Sequence, residues 1–154
     1  MVTFRMISQG EAKVGRALLN EYLTELSEFD DSIVFDNRGV PQYKWYTPYY
    51  FIDRDRYPFF LLVDGKIKGI CFVRKVENDR YEMAEFYLKK EVRGNGNAQA
   101  LAKKIIDSFD GDFLISTRHK NVVGVKFWTK VAKLYRYSES DDAVWKNFIV
   151  YKDE

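Results

Sequence analysis

One histidine, one cysteine and three prolines in 154 residues remove several kinds of chemistry before any motif is considered. With Cys71 alone no internal disulfide can form, and its place in the apolar run Gly69-Ile70-Cys71-Phe72-Val73 reads as a buried structural thiol in a reducing compartment. The lone histidine, His119, stands in the basic stretch Arg118-His119-Lys120, which suits a solvated loop. No group of His, Cys and carboxylates has ligand spacing, so no metal is expected. No apolar run approaches the length of a membrane span, and the N-terminus lacks the charged start and apolar centre of a leader; the expectation is a soluble, cytoplasmic protein without a membrane partner. Neither sign of charge predominates: 25 Lys+Arg against 23 Asp+Glu give a net charge of +2, dispersed along the chain, and nucleic acid is not expected as a ligand.

What is present is enough apolar material, 46% of residues, for one ordinary globular core, and no linker or repeat divides the chain, so residues 1–154 are read as a single domain. Val2 to Met6 reads as a strand, followed by a helix with Leu18, Tyr22, Leu26 and Phe29 on one face. An acidic and aromatic connection leads to strands from Pro58 to Val63 and from Ile67 to Val76, joined by Asp64-Gly65, and then from Arg80 to Leu88. Ala98, Leu101, Ala102, Ile105 and Phe109 mark a second amphipathic helix. A strand Phe113-Leu114-Ile115-Ser116, a helix after Asn121 and two terminal strands complete a mixed α/β pattern.

Between the strand ending at Leu88 and its following helix lies Arg93-Gly94-Asn95-Gly96-Asn97-Ala98. A glycine-rich turn at a helix N-terminus offers unpaired amides and the positive end of the macrodipole, and glycine lets an anion approach the backbone. A dinucleotide fingerprint would need a third glycine where Gln99 stands, and a Walker loop would need Gly-Lys-Ser/Thr. Neither is present.

What remains, Arg-x-x-Gly-x-Ala at Arg93, Gly96 and Ala98, resembles the pyrophosphate loop of the GNAT superfamily of acyl-CoA-dependent N-acetyltransferases. Asn121-Val122-Val123-Gly124-Val125-Lys126-Phe127-Trp128 is similar to that family's Asn-x-x-Ala-x-x-Phe-Tyr helix, and Phe127-Trp128-Thr129-Lys130-Val131 to a group of predicted acetyltransferases with Phe-Trp in this place. The resemblance implies a mixed α/β (α+β) fold with a mostly antiparallel central sheet, two splayed parallel strands and flanking helices. It implies acetyl-CoA as co-substrate, held by Phe86, Tyr87 and Leu88 on the strand, by Arg93, Gly94, Asn95, Gly96, Asn97 and Ala98 at the loop, and by Asn121 and Phe127 on the later helix. Arg93 either adds charge to a phosphate or pairs with solvent or Glu91.

For the base that frees the amine, Glu82 and Glu85 are the candidates; regular alternation puts them on opposite faces of the strand, so only one meets the substrate unless a bulge intervenes. The backbone N–H of Leu88 is the candidate to polarise the acetyl carbonyl. The family's acidic tyrosine is replaced by Trp128, whose indole has no proton to give, so Tyr135, Tyr137 or water must protonate the thiolate. The resulting expectation is transfer of acetyl to a primary amine of a small molecule or peptide by direct attack, with a homodimer left open. Asp30, Asp31, Asp36, Asp53 and Asp55 beside aromatic residues suggest a cationic acceptor. The alternatives are a CoA-binding sensor or scaffold without turnover, and a structural turn in a domain that pairs through its aromatics.

Overall fold

The computed structural model describes residues 1–46, 54–77 and 79–152. Its strands are β1 (Val2–Met6), β2 (Arg56–Val63), β3 (Lys66–Glu77), β4 (Arg80–Leu88), β5 (Asp112–Arg118), β6 (Arg136–Asp141) and β7 (Trp145–Tyr151). Its helices are α1 (Ala12–Leu26), α2 (Asn97–Ser108) and α3 (Val122–Ala132). Seven strands form one sheet in the order β1-β2-β3-β4-β5-β7-β6. Every neighbouring pair is antiparallel except β4 and β5, which are parallel.

Alternation along the strands makes two cores. Phe59, Leu61, Cys71, Val73, Phe113, Ile115, Phe148 and Val150 face one side, where Leu101, Ala102, Ile105 and Ile106 of α2 and Trp128, Val131 and Ala132 of α3 cover them. Phe60, Ile70 and Phe72 face the other side, under Leu18, Leu19 and Leu23 of α1. Leu18 and Leu19 at i and i+1 with Leu23 at i+5 and i+4 form the apolar stripe of α1, with Gly15 buried one turn earlier. Phe29, assigned to this stripe from its spacing, lies beyond the helix, which ends at Leu26. Cys71 is fully buried and its burial pushes the thiol pKa up, which removes it as a nucleophile.

Two features of β4 position the site. First, β4 and β5 pair only through Arg80 with Asp112, Tyr81 with Phe113 and Glu82 with Leu114; beyond Glu82 the parallel strands part. Second, Phe72 of β3 opposes Glu85 while the next residue, Val73, opposes Met83, so Ala84 is an extra residue, a β-bulge. Arg74 opposes Glu82, and Phe72 and Arg74 lie on the α1 side of β3. The bulge therefore turns Glu82 and Glu85 to the same face, where uninterrupted alternation would have separated them. It does so where the strands begin to part.

Candidate active site

The parting strands open a cavity of about 1030 Å³ whose wall includes Tyr22 and Leu23 of α1, Tyr43, Glu85, Ser116, Asn121 and Trp128. Glu85 is only partly exposed, and loss of hydration pushes its carboxyl from 4.5 up to about 7, with the charges of Glu82 and Asp30 adding to the rise against hydrogen bonds from Tyr22 and Tyr43. The Tyr43 hydroxyl donates to Glu85 Oε2 at 2.9 Å. Burial, and then the facing Glu85 carboxylate, raise the Tyr22 hydroxyl well above its usual range, so it remains a donor. Glu82 is differently placed: its Oε1 accepts from Arg74 Nε at 2.6 Å. Of the two carboxylates on this face, one is paired with an arginine and the other is pushed up to about 7 by burial.

Backbone alternation decides what β4 presents to the gap. The Tyr87 carbonyl is turned to β3, where it stands 2.0 Å from the place a Cβ on Gly69 would take, so glycine is required there. The Leu88 carbonyl points the other way and accepts from Arg93 Nε at 2.6 Å. Phe86 and Leu88 thus carry their amide groups toward the gap, whereas Tyr87, also expected to bond the cofactor arm, gives its backbone to the sheet and its hydroxyl to Glu21 at 3.1 Å.

At the glycine turn, Gly94 and Gly96 have φ of 88° and 85°, a left-handed backbone that L side chains seldom adopt. A Cβ at either would meet nothing within 4 Å, so the space above the turn is open. Gly96 caps α2, and the amides of Gly94, Asn95, Gly96, Ala98 and Gln99 have no hydrogen-bond partner among the described residues. Asn97 is partly committed, its side chain donating to the Val92 carbonyl at 3.1 Å. Arg93 pairs with Glu25 of α1 at 3.0 Å and lies over the Tyr87 ring; the other expected partner, Glu91, is bound to Lys68.

On α3, Asn121 Oδ1 accepts from the Gly124 amide at 2.9 Å, capping the helix while its residue lines the cavity. A Cβ on Gly124 would come within 2.6 Å of Asn121 Nδ2, which accounts for glycine where the related motif has alanine. Phe127 stacks on Phe86 at 5.7 Å, and Trp128 packs edge-on to both at 5.3 and 4.7 Å.

Tyr135 lies apart from the cavity. It follows α3 at its far end, and its hydroxyl donates to Asp107 Oδ1 of α2 at 2.7 Å, outside the cavity wall. Burial and that carboxylate raise its pKa further from the usable range. In the other direction, Tyr22 and Tyr43, which hold Glu85, were passed over in the sequence because the i, i+4 spacing of Tyr22 fits a core position and Tyr43 is one of many aromatics.

The family model of the Acetyltransferase (GNAT) family matches residues 15–132. The chain belongs to this family. The membership makes it an acetyl-CoA-dependent N-acetyltransferase by class, with acetyl-CoA as co-substrate, and the GNAT sheet with one splayed parallel pair is the observed fold. Among solved structures, the ribosomal-protein-S18-alanine N-acetyltransferase of Escherichia coli is similar with TM-score 0.70 at 10% identity, covering 100% of this chain and 96% of that one. Spermidine N-acetyltransferase of Vibrio cholerae, in complex with CoA and spermine, has TM-score 0.71 at 12% identity over 98% and 95% of the two chains. The PaiA N-acetyltransferase of Thermoplasma acidophilum, in complex with coenzyme A, has TM-score 0.65 at 15% identity over 98% and 99%. No curated protein sequence matches the chain. Among the described residues, no helix is long and apolar enough to cross a membrane.

Proposed function

We propose that this GNAT protein transfers acetyl from acetyl-CoA to the primary amine of a small molecule by direct attack, with Glu85 as the base. The observation that carries the reading is the place of one carboxyl: Glu85 stands beside the parting of β4 and β5, in a cavity wall, held by two tyrosines, where burial pushes it up to about 7. A base is most effective when its pKa lies near working pH, and Glu85 meets that condition while Glu82 is engaged by Arg74. The co-substrate's diphosphate rests on the unpaired amides from Gly94 to Gln99, and its arm follows the open edge of β4 at Phe86 and Leu88. Asn121 and Phe127 border that arm.

In the transfer the amine nitrogen bonds to the acetyl carbon and the carbon–sulfur bond breaks, its electron pair going to sulfur. Protons leave the nitrogen through Glu85 to solvent, directly or by one water, and the thiolate takes a proton from water. The Leu88 N–H is placed to donate to the carbonyl oxygen as charge develops on it. Trp128, in the wall, supplies no proton. Residues 1–154 act as one catalytic unit in the cytoplasm. Bound CoA in calorimetry together with amine-dependent release of thiol from acetyl-CoA tests the proposal; binding with no release for any amine would replace it by a CoA sensor, and no binding would remove both.

A further inference from the structure

Charge in the cavity is not arranged as the sequence suggested. Of the acids between α1 and β2 that suggest a cationic acceptor, only Asp30 lines the cavity among the described residues. Asp36 Oδ1 accepts from the amides of Arg38 and Val40 and serves its own turn. Asp31 projects into solvent, 93% exposed, and Asp53 lies outside the described residues. Asp30 is paired with Arg118 at 2.8 Å, as Glu82 is with Arg74, so each of these charges already has a partner of opposite sign.

Two cations in the wall have no carboxylate partner among the described residues, Arg16 and Lys44. Arg16, on α1, donates from Nε to Asn20 Oδ1 at 2.9 Å and from one Nη to the Pro41 carbonyl at 2.5 Å. Those neutral acceptors hold the guanidinium in place, over the Tyr46 ring at 5.4 Å, without offsetting its charge, and the second Nη keeps its protons for a ligand. Lys44 follows Tyr43, the donor to Glu85, and its Nζ is 4.7 Å from the Trp45 ring centre. Among the described residues of the wall, then, one acid without a cationic partner, Glu85, lies by the strand gap, and two cations without a carboxylate partner lie on α1 and the loop after it. A polyamine would set a second positive charge against that wall; an anionic group would be drawn to it.

On the acetyl-transfer reading above, we propose that the acceptor is a small amino carboxylate, its amine beside Glu85 and its carboxylate on Arg16 and Lys44. The carboxylate meets a guanidinium already fixed in position, so little ordering is lost on binding.

The test uses matched pairs that differ only by the carboxylate, phenylalanine with phenethylamine and tyrosine with tyramine, and spermidine as a polycation, read by thiol release from acetyl-CoA. We expect kcat/KM for the amino acid to exceed that for its decarboxylated partner by about tenfold or more, the scale of one charge-assisted contact. Arg16→Gln and, separately, Lys44→Gln shrink that ratio; Lys44 is exposed, so its variant reports even if the loss of Arg16 loosens the loop it holds. Calorimetry of N-acetylphenylalanine against N-acetylphenethylamine gives the same comparison without turnover. Equal or reversed preference in either measurement, or best turnover of spermidine, overturns the inference. Turnover of phenethylamine with rejection of phenylalanine does so while leaving acetyl transfer intact, whereas CoA binding with release by no amine defeats the underlying reading instead.

Discussion

Glu85→Gln separates the chemistry of the site from its cost in stability. The substitution keeps the side chain's volume and an acceptor for Tyr43 and Tyr22 but removes the oxygen that titrates. Loss of a positioned base lowers turnover by roughly 10²–10⁴. In the parent protein kcat/KM falls as pH drops through about 7, because the proton then occupies Glu85; the variant lacks that acid limb and retains only the titration of the amine. Stability moves the other way. A carboxyl whose folded pKa lies above its unfolded one binds its proton more tightly in the fold, so its contribution is fully present below 4.5 and is lost as pH rises through about 7. The rise from 4.5 to about 7 corresponds to about 3 kcal/mol, an upper bound because water reaches the cavity. Glu85→Gln is therefore expected to be the more stable protein above neutrality, by roughly 5 °C in melting temperature, and to match the parent in acid. Thiol release from about pH 5.5 to 9 and melting curves at about pH 4 and about pH 9 measure the two effects. A variant with full rate, or with the acid limb intact, would show that Glu85 is not the base, and equal melting temperatures at the alkaline end would show that its carboxyl is not perturbed.

Gly96→Val puts a β-branched residue at φ of 85° and a side chain into the space above the turn. Strain of about 1–2 kcal/mol and at least about tenfold weaker CoA binding are expected, read by melting and calorimetry; unchanged affinity would refute the diphosphate assignment. Tyr135→Phe breaks the bond to Asp107 and is expected to cost about 1 kcal/mol of stability with turnover unaltered. A marked loss of kcat with acetyl-CoA affinity preserved would return that hydroxyl to the mechanism.

The glycine turn and the Asn121 helix are legible because their geometry is local: backbone amides at a helix start, and a cap three residues from the amide it serves, depend on neighbours in sequence. The strand order, by contrast, follows from pairings between distant residues, and the family resemblance supplied what periodicity could not. Which glutamate meets the substrate was not readable, since both occur in a run of nine strand residues, Arg80–Leu88, with no glycine or proline to announce the bulge at Ala84. In the sequence Tyr135 stands out by its chemistry alone; it is the packing of the chain after α3 against α2 that sets its hydroxyl on Asp107.

The sequence by itself determined the elements, the glycine turn at the start of α2 and the absence of a tyrosine on α3, because each is encoded in residues a few positions apart. The tertiary structure alone decided the charge that the substrate meets. Whether a carboxylate faces an arginine, as Glu82 and Asp30 face Arg74 and Arg118, or lies between tyrosine hydroxyls, as Glu85 does, depends on side chains brought within 3 Å from separate elements, and on the water that such packing excludes.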